Sequence, residues 1–413
     1  MFHKVLLTYT ILILLLHKAL IVYNFSFIIL IGLFGIIVFS ILQSTLQGKS
    51  VISYNKNDIY LGLYLLIISI SLFRSYMNGL FEISPIFTIM GVYFITYFYF
   101  LYVRTNKELN YKELIFSGLN LYLLINLILY SIGYESPHRI ILSDTFGENA
   151  TLKIFGISHE RILFPLAPNI QSYGLICGSL LLYNLIIYRK NKNIYNIFFV
   201  LIATISLILT DSRGQILFLI IILFIYIFFN NFFLKRQFFF IITYIFSVFY
   251  IVVIIYSIYS FFDIELLVRE NSVTIFSGRE LIWIEFLTHY RPTVFDALFG
   301  YGNDGHVISG ISKNYSYLFT NWLNPESASV HNNSFQLILD IGFIGLGLLY
   351  FIIYRTIQTY REHYFFNKNP LNLAAIYILN YLLISGTTEG VLNPENSFTI
   401  LILIILIVFT SSK

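Results

Sequence analysis

The chain is 413 residues long, with 58% of its residues apolar and only 11% charged. A soluble domain surface needs about a quarter of its residues charged, so a soluble globular protein is excluded. The single cysteine, Cys177, excludes an internal disulfide and any cysteine-based metal site. A net charge of +4 without a basic tail gives no sign of nucleic-acid binding.

At about 20 residues per membrane-spanning helix, the apolar content suffices for roughly a dozen spans. Lys4 and the apolar run 5–16 resemble a signal peptide, but His17-Lys18-Ala19 is no small-residue cleavage site. The run is read as a first short span. Further spans are predicted near 24–42, 59–73, 84–103, 114–132, 170–188, 194–210, 215–234, 238–262, 334–354, 371–385 and 396–410, separated by charges or by Gly, Pro and Asn. The expected fold is an all-α transmembrane bundle of about 12 spans, divided into N-terminal spans (1–133), a first long loop (134–169), central spans (170–262), a second long loop (263–333) and C-terminal spans (334–413).

Basic residues in the short loops, such as Arg189, Lys190, Lys192, Lys235 and Arg236, put both termini on the cytoplasmic side. Lysines then outnumber arginines ten to five inside, and arginines outnumber lysines seven to three outside. Arginine's planar fork binds phosphate or carboxylate in two places at once, so an outer face rich in arginine suggests anionic ligands there. The two long loops hold His138, His159, His289, His306 and His331, five of the eight histidines. Loops of that length are usually functional, so the chemistry is expected to face outward.

Four motifs carry candidate chemistry. Thr210-Asp211-Ser212-Arg213-Gly214 is a very short outward turn between apolar spans, where an ionisable pair is costly without partners, so Arg213 is expected to face an interior cavity. A plain Asp211–Arg213 structural pair is the alternative. Ser277-Gly278-Arg279-Glu280 has capping-box spacing ahead of an amphipathic helix. Trp283, Phe286, Leu287 and Tyr290 fall at i, i+3, i+4 and i+7 on it, a stripe suited to lying on the membrane surface. Arg279, in the first turn, calls for a compensating anion; a pair with Glu280 or with a lipid phosphate is the plainer alternative. Gly300-Tyr301-Gly302-Asn303 reads only as a turn. His331-Asn332 opens the span beginning at Phe335, and a histidine at a helix's positive end is disfavoured as a cation, leaving a neutral imidazole able to act as a base.

Arg161 and Pro168-Asn169 mark a polar helix entrance ahead of Ile170, and Arg291 is a further outward arginine. Gly342, Gly345 and Gly347 lie in apolar sequence without a Lys-Ser/Thr ending and are read as helix-packing glycines. HExxH, GxSxG and Asp-x-Asp patterns are missing from the sequence, so metal catalysis is not indicated.

In this order, Arg161 with Pro168-Asn169, the Asp211–Arg213 turn, Ser277-Gly278-Arg279, Gly300-Tyr301-Gly302 and His331-Asn332 resemble the O-antigen polymerase and O-antigen ligase superfamily of bacterial inner-membrane glycosyltransferases, over most of residues 155–350. The resemblance implies transfer of a glycan from a polyprenyl-pyrophosphate-linked oligosaccharide donor, without a cofactor. The acceptor is another lipid-linked repeat unit in polymerases and a lipid A core in ligases. It implies His331 as base, Arg213 and Arg279 as catalytic partners, and Arg161, Asn169, Asn332, Ser277, Tyr301 and Arg291 as substrate-binding residues. A chain-length regulator and a flippase are implied partners. A transporter of lipid-linked glycans remains the alternative of a different class.

Overall fold

The structure is a computed structural model; it describes residues 56–247 and 278–408 apart from 81–82, 105–110, 135, 137–148, 155, 168, 248–277, 320–323 and 393–396, with scattered positions before residue 47. Ser277 and most of the first two expected spans lie outside the described residues, as does most of the span expected at 238–262. Among the described residues there is no strand. The α-helices are α1 (Lys56–Met77), α2 (Ile83–Arg104), α3 (Tyr111–Ser131), α4 (Ala150–Ile154), α5 (Ile170–Asn191), α6 (Ile194–Thr210), α7 (Arg213–Phe228), α8 (Asn230–Lys235), α9 (Gln237–Ile245), α10 (Arg279–His289), α11 (Val294–Phe299), α12 (Gly305–Ile308), α13 (Asn333–Asn367), α14 (Pro370–Ser385) and α15 (Ser397–Val408).

Among the described residues, five helices are long and apolar enough to cross a bilayer: Asn57–Met77, Ile86–Arg104, Lys112–Ser131, Ile170–Asn191 and Asn333–Asn367. Four more apolar helices are 10–17 residues long. The expected span at 215–234 is divided into α7 and α8, and its neighbour begins as α9. Apolar side chains face outward at helical spacing, as Ile59, Leu63, Leu66, Ile70 and Phe73 do on α1 and Ile194, Phe198, Leu201 and Ile205 do on α6. Stripes of this kind suit a hydrocarbon solvent and not water. The chain is a multi-pass membrane protein.

Inside the bundle, where hydrophobic attraction between helices is weak, buried amides join them. Asn120 on α3 and Asn184 on α5 exchange hydrogen bonds of 3.1 and 2.9 Å, and Asn380 on α14 donates to Gln237 on α9 at 3.0 Å. Polar contacts also define two ends. At one, Arg104 binds both oxygens of buried Asp58 (2.9 and 2.7 Å), Lys112 reaches Asn372 (3.1 Å) and Lys190 reaches the Lys368 carbonyl (2.8 Å). The other end carries Arg74, Arg161, Arg213 and Arg279 against the turns and loops that cap it.

Two sequence expectations are corrected here. Trp283 and Phe286 do not lie on a membrane surface: both are buried in the second loop's own core with Ile311, Tyr315, Val330 and Phe335. Trp283 Nε1 donates to the Val330 carbonyl at 3.0 Å, and Phe286 stacks on Phe335 with ring centres 4.3 Å apart. The periodicity marked a buried face, and the loop together with the start of α13 buries it.

Gly342 is not a helix-packing glycine inside a straight rod. Its φ of 67° breaks α13, and a Cβ there would overlap the Leu298 carbonyl and approach the Gly300 nitrogen to 2.5 Å. A break in a helix strands carbonyls one turn back. Here Tyr301 N donates to Leu339 O (2.6 Å), Gly302 N to Asp340 O (3.2 Å) and Ser71 Oγ to Asp340 O (2.8 Å). The Gly300-Tyr301-Gly302 turn thus supplies substitute donors for a kinked helix.

Candidate functional site

Five stretches of chain meet at the arginine-bearing end, and local structure explains how each presents its side chain. α6 ends at Asp211, which caps it in the left-handed conformation (φ 47°), and α7 starts two residues on at Arg213. Buried Asp211 accepts from Thr151 Oγ1 (2.5 Å) and N (3.1 Å), and Arg213 Nε lies 3.2 Å from its Oδ2. From the first loop, Arg161 donates to the carbonyls of Thr210 (3.4 Å) and Asp211 (3.3 Å). The expected Asp211–Arg213 pair is therefore present, within a cluster that includes a second guanidinium. Arg213 remains 42% exposed, and among the described residues only its Nε has a partner.

Arg279 opens α10. It does not pair with Glu280; its Nη2 lies 2.5 Å from Oε1 of Glu389, in the short turn between α14 and α15. The other oxygen of Glu389, Oε2, is 3.4 Å from Nδ1 of His331. One carboxylate thus joins the second loop's arginine to the histidine ahead of α13. Burial pushes the Glu389 carboxyl up, but the Arg279 charge and the His331 contact outweigh it and hold the group below the usual carboxylate range. The Arg161 guanidinium is drawn down by burial, opposed by Asp211, with Arg213, Glu389 and Arg279 all near enough to act on it.

His331 itself is in the left-handed conformation (φ 50°). Non-glycine residues hold such backbones at a cost of order 1–3 kcal/mol, and they cluster at functional sites. The next residue fixes it: Asn332 caps α13 by accepting from Phe335 N (3.0 Å) and donates to the Thr387 carbonyl (2.9 Å), tying the His331 and Glu389 segments together. The imidazole faces Phe319, ring centres 6.2 Å apart. With Nδ1 turned to Glu389, Nε2 has no hydrogen-bond partner among the described residues.

A buried network lies behind His331. Gln336 accepts from Val330 N (3.3 Å) and donates to His306 Nδ1 (3.0 Å) and Asp340 Oδ1 (2.9 Å). His306 Nε2 faces the Ser327 carbonyl at 3.2 Å. Burial lowers the His306 pKa to about 4 despite the Ser327 contact, so it is a neutral structural imidazole.

The remaining expected residues are placed as follows. Asn169 is an exposed cap of α5, accepting from Ser172 N at 2.7 Å. Tyr301 sits at the α13 kink near Asp296 and Arg74. Arg291 is exposed and donates to the Tyr290 carbonyl. None of these three touches the Arg213, Arg279 and His331 cluster. Sequence reasoning missed Glu389; the available signal was a carboxylate in the segment between two spans, at the end of the bundle where arginines gather. Among the described residues, no group of three His, Cys, Asp or Glu side chains is arranged to hold a metal ion.

The Asp211–Arg213 turn, Arg279 and His331 all lie within one matched stretch. Residues 197–350 match the O-antigen ligase family model. That family stands within the superfamily whose motifs the sequence resembles. Searches of the curated proteins and of the solved structures found no match. Arg161 and Glu389 fall outside the O-antigen ligase match and join its residues only in space.

Proposed function

We propose that the protein is a polysaccharide polymerase of the bacterial cytoplasmic membrane. In this reading it joins polyprenyl-pyrophosphate-linked oligosaccharide repeat units at the extracytoplasmic face, where the arginine-bearing end of the bundle lies. The observation that carries it is the meeting of Arg161, Arg213 and Arg279 with a Glu389-bound His331. Three guanidinium groups face two carboxylates, Asp211 and Glu389, which leaves the site one positive charge in excess and fit for an anion.

The step is a displacement at the anomeric carbon. An acceptor hydroxyl gives its proton to His331 Nε2, its oxygen bonds to C1, and the bond from C1 to the diphosphate oxygen breaks. The departing lipid diphosphate takes the electron pair, and its charge is met by Arg213, Arg279 and Arg161. Glu389 accepts from Nδ1–H, which selects the tautomer with Nε2 free and stabilises the imidazolium that forms. The lipid tail lies among the spans and the sugars under the two loops. A chain-length regulator and a flippase would act on the same intermediates.

The description of the matched family favours a second reading, in which the acceptor is a lipid A core. Deletion of the protein followed by gel analysis of surface glycan separates the two. Single repeat units on the core support the polymerase; bare core with lipid-linked polymer retained supports the ligase. Unchanged surface glycan overturns both.

A further inference from the structure

Beside Glu389, Thr388 is 2% exposed, and among the described residues its hydroxyl has no hydrogen-bond partner. Burying a hydroxyl unpaired is unfavourable. Its Oγ1 lies 3.5 Å from where a Cβ on Gly214 would stand, so the hydroxyl adjoins the first turn of α7 next to Arg213. That turn is open. Ser212 makes no cap hydrogen bond; its Oγ is directed to the Ile170 carbonyl (3.3 Å). Arg213 N bonds to the Asp211 carbonyl and Ile216 N to the Ser212 carbonyl, but among the described residues the N–H groups of Gly214 and Gln215 have no acceptor, and together with the helix dipole they favour an anion. Gly214 carries no side chain, and the point where its Cβ would stand is at ordinary contact distance from Thr388 Oγ1 and from Phe218 Cε2 (3.9 Å).

We propose that Thr388 and the open first turn of α7 form the subsite for one phosphate oxygen of the lipid diphosphate, with Arg213 at its rim. The inference rests on the proposed transfer from a diphosphate-linked donor and adds two residues to it. Thr388 donates its hydroxyl proton to the phosphate oxygen as a hydrogen bond, and Gly214 allows that oxygen to approach the backbone.

Two variants separate this role from packing. Thr388→Val keeps the shape and removes the hydroxyl. Gly214→Ala places a methyl group at ordinary contact distance from Thr388 and adds a better helix former, so packing alone predicts equal or higher thermal stability. The full-length protein in detergent is titrated with inorganic pyrophosphate, followed by its rise in melting temperature, and reconstituted vesicles are assayed for donor KM and kcat. The expected result is weaker pyrophosphate binding and a higher KM, each by about ten- to a hundredfold, in both variants, with unliganded melting temperatures near wild type and Thr388→Ser restoring both. Wild-type pyrophosphate binding in Thr388→Val and Gly214→Ala overturns the subsite while leaving the transfer reaction standing. A wild-type protein that does not bind pyrophosphate overturns both.

Discussion

His331 Nδ1 and Glu389 Oε2 lie 3.4 Å apart although 58 residues separate them in the chain. The imidazole's orientation is therefore held from outside its own loop. In the proposed reaction His331→Ala lowers kcat by about 10² to 10⁴. Glu389→Gln keeps the shape but removes the charge that stabilises the imidazolium, and a loss of about tenfold or more is expected. Donor turnover in vesicles, with folding checked by melting temperature, measures both; full activity in Glu389→Gln removes it from the mechanism.

The same carboxylate sets an acid limit. Its folded pKa is depressed, so the Arg279–Glu389–His331 contact is fully present above the ordinary carboxylate range and is lost only as pH falls through the lower, folded value. Dissociation of the second loop from the α14–α15 turn, followed by limited proteolysis against pH, is expected only below the usual carboxylate range. Release at neutral pH contradicts this.

Arg279→Lys keeps the charge but loses the planar fork. Because Nη2 already binds Glu389 at 2.5 Å, the fork's remaining N–H groups are what a diphosphate can use, and lysine cannot do both with one ammonium. A rise in donor KM of about tenfold is expected, with a smaller change in melting temperature than Arg279→Ala produces.

His306 gives a stability test independent of catalysis. Its pKa falls from 6.5 to about 4 on burial, so the unfolded chain binds the extra proton between those values. Stability is complete above about pH 6.5 and declines as pH falls toward 4, by roughly 3 kcal/mol in total. Denaturant unfolding from pH 7 to 4 measures the slope, and His306→Asn is expected to flatten it.

Gly342→Ala forces a side chain into a left-handed backbone against the Leu298 carbonyl. The backbone alone costs about 1–2 kcal/mol, and the overlap adds to it. A clear drop in melting temperature is expected, and a variant as stable as wild type would show that the kink is dispensable.

Much of this was legible in the sequence. Hydropathy contrast isolated the turn at Arg213 and the loop entry at His331. A helix was expected from 277 onward, but its cap is Gly278 in the left-handed conformation and not the Ser277–Glu280 box: no side chain caps it, and the Glu280 carboxylate has no hydrogen-bond partner among the described residues. Charge sorting separated Lys112 and Lys190 from Arg161 and Arg213, which the fold carries at opposite ends. What stayed hidden depends on long-range contact. The Trp283 stripe has the same period whether protein or lipid buries it. Glu389 sits in a turn that reads only as a break between two spans, and nothing local shows that Arg279 prefers it to adjacent Glu280. Gly342 looks like any small residue in a membrane helix until the Gly300 turn arrives to replace its missing donors.

That replacement has a mechanical corollary. Backbone hydrogen bonds normally make a helix one stiff rod, yet the first piece of α13, which His331 precedes, is bonded sideways, to Tyr301, Gly302 and Ser71, just where it parts from the rest at Gly342. The imidazole's perch is consequently tied to a neighbouring span through Ser71 and to the second loop through Tyr301 and Gly302, so its position is set by three separate stretches of chain and not by its own helix alone.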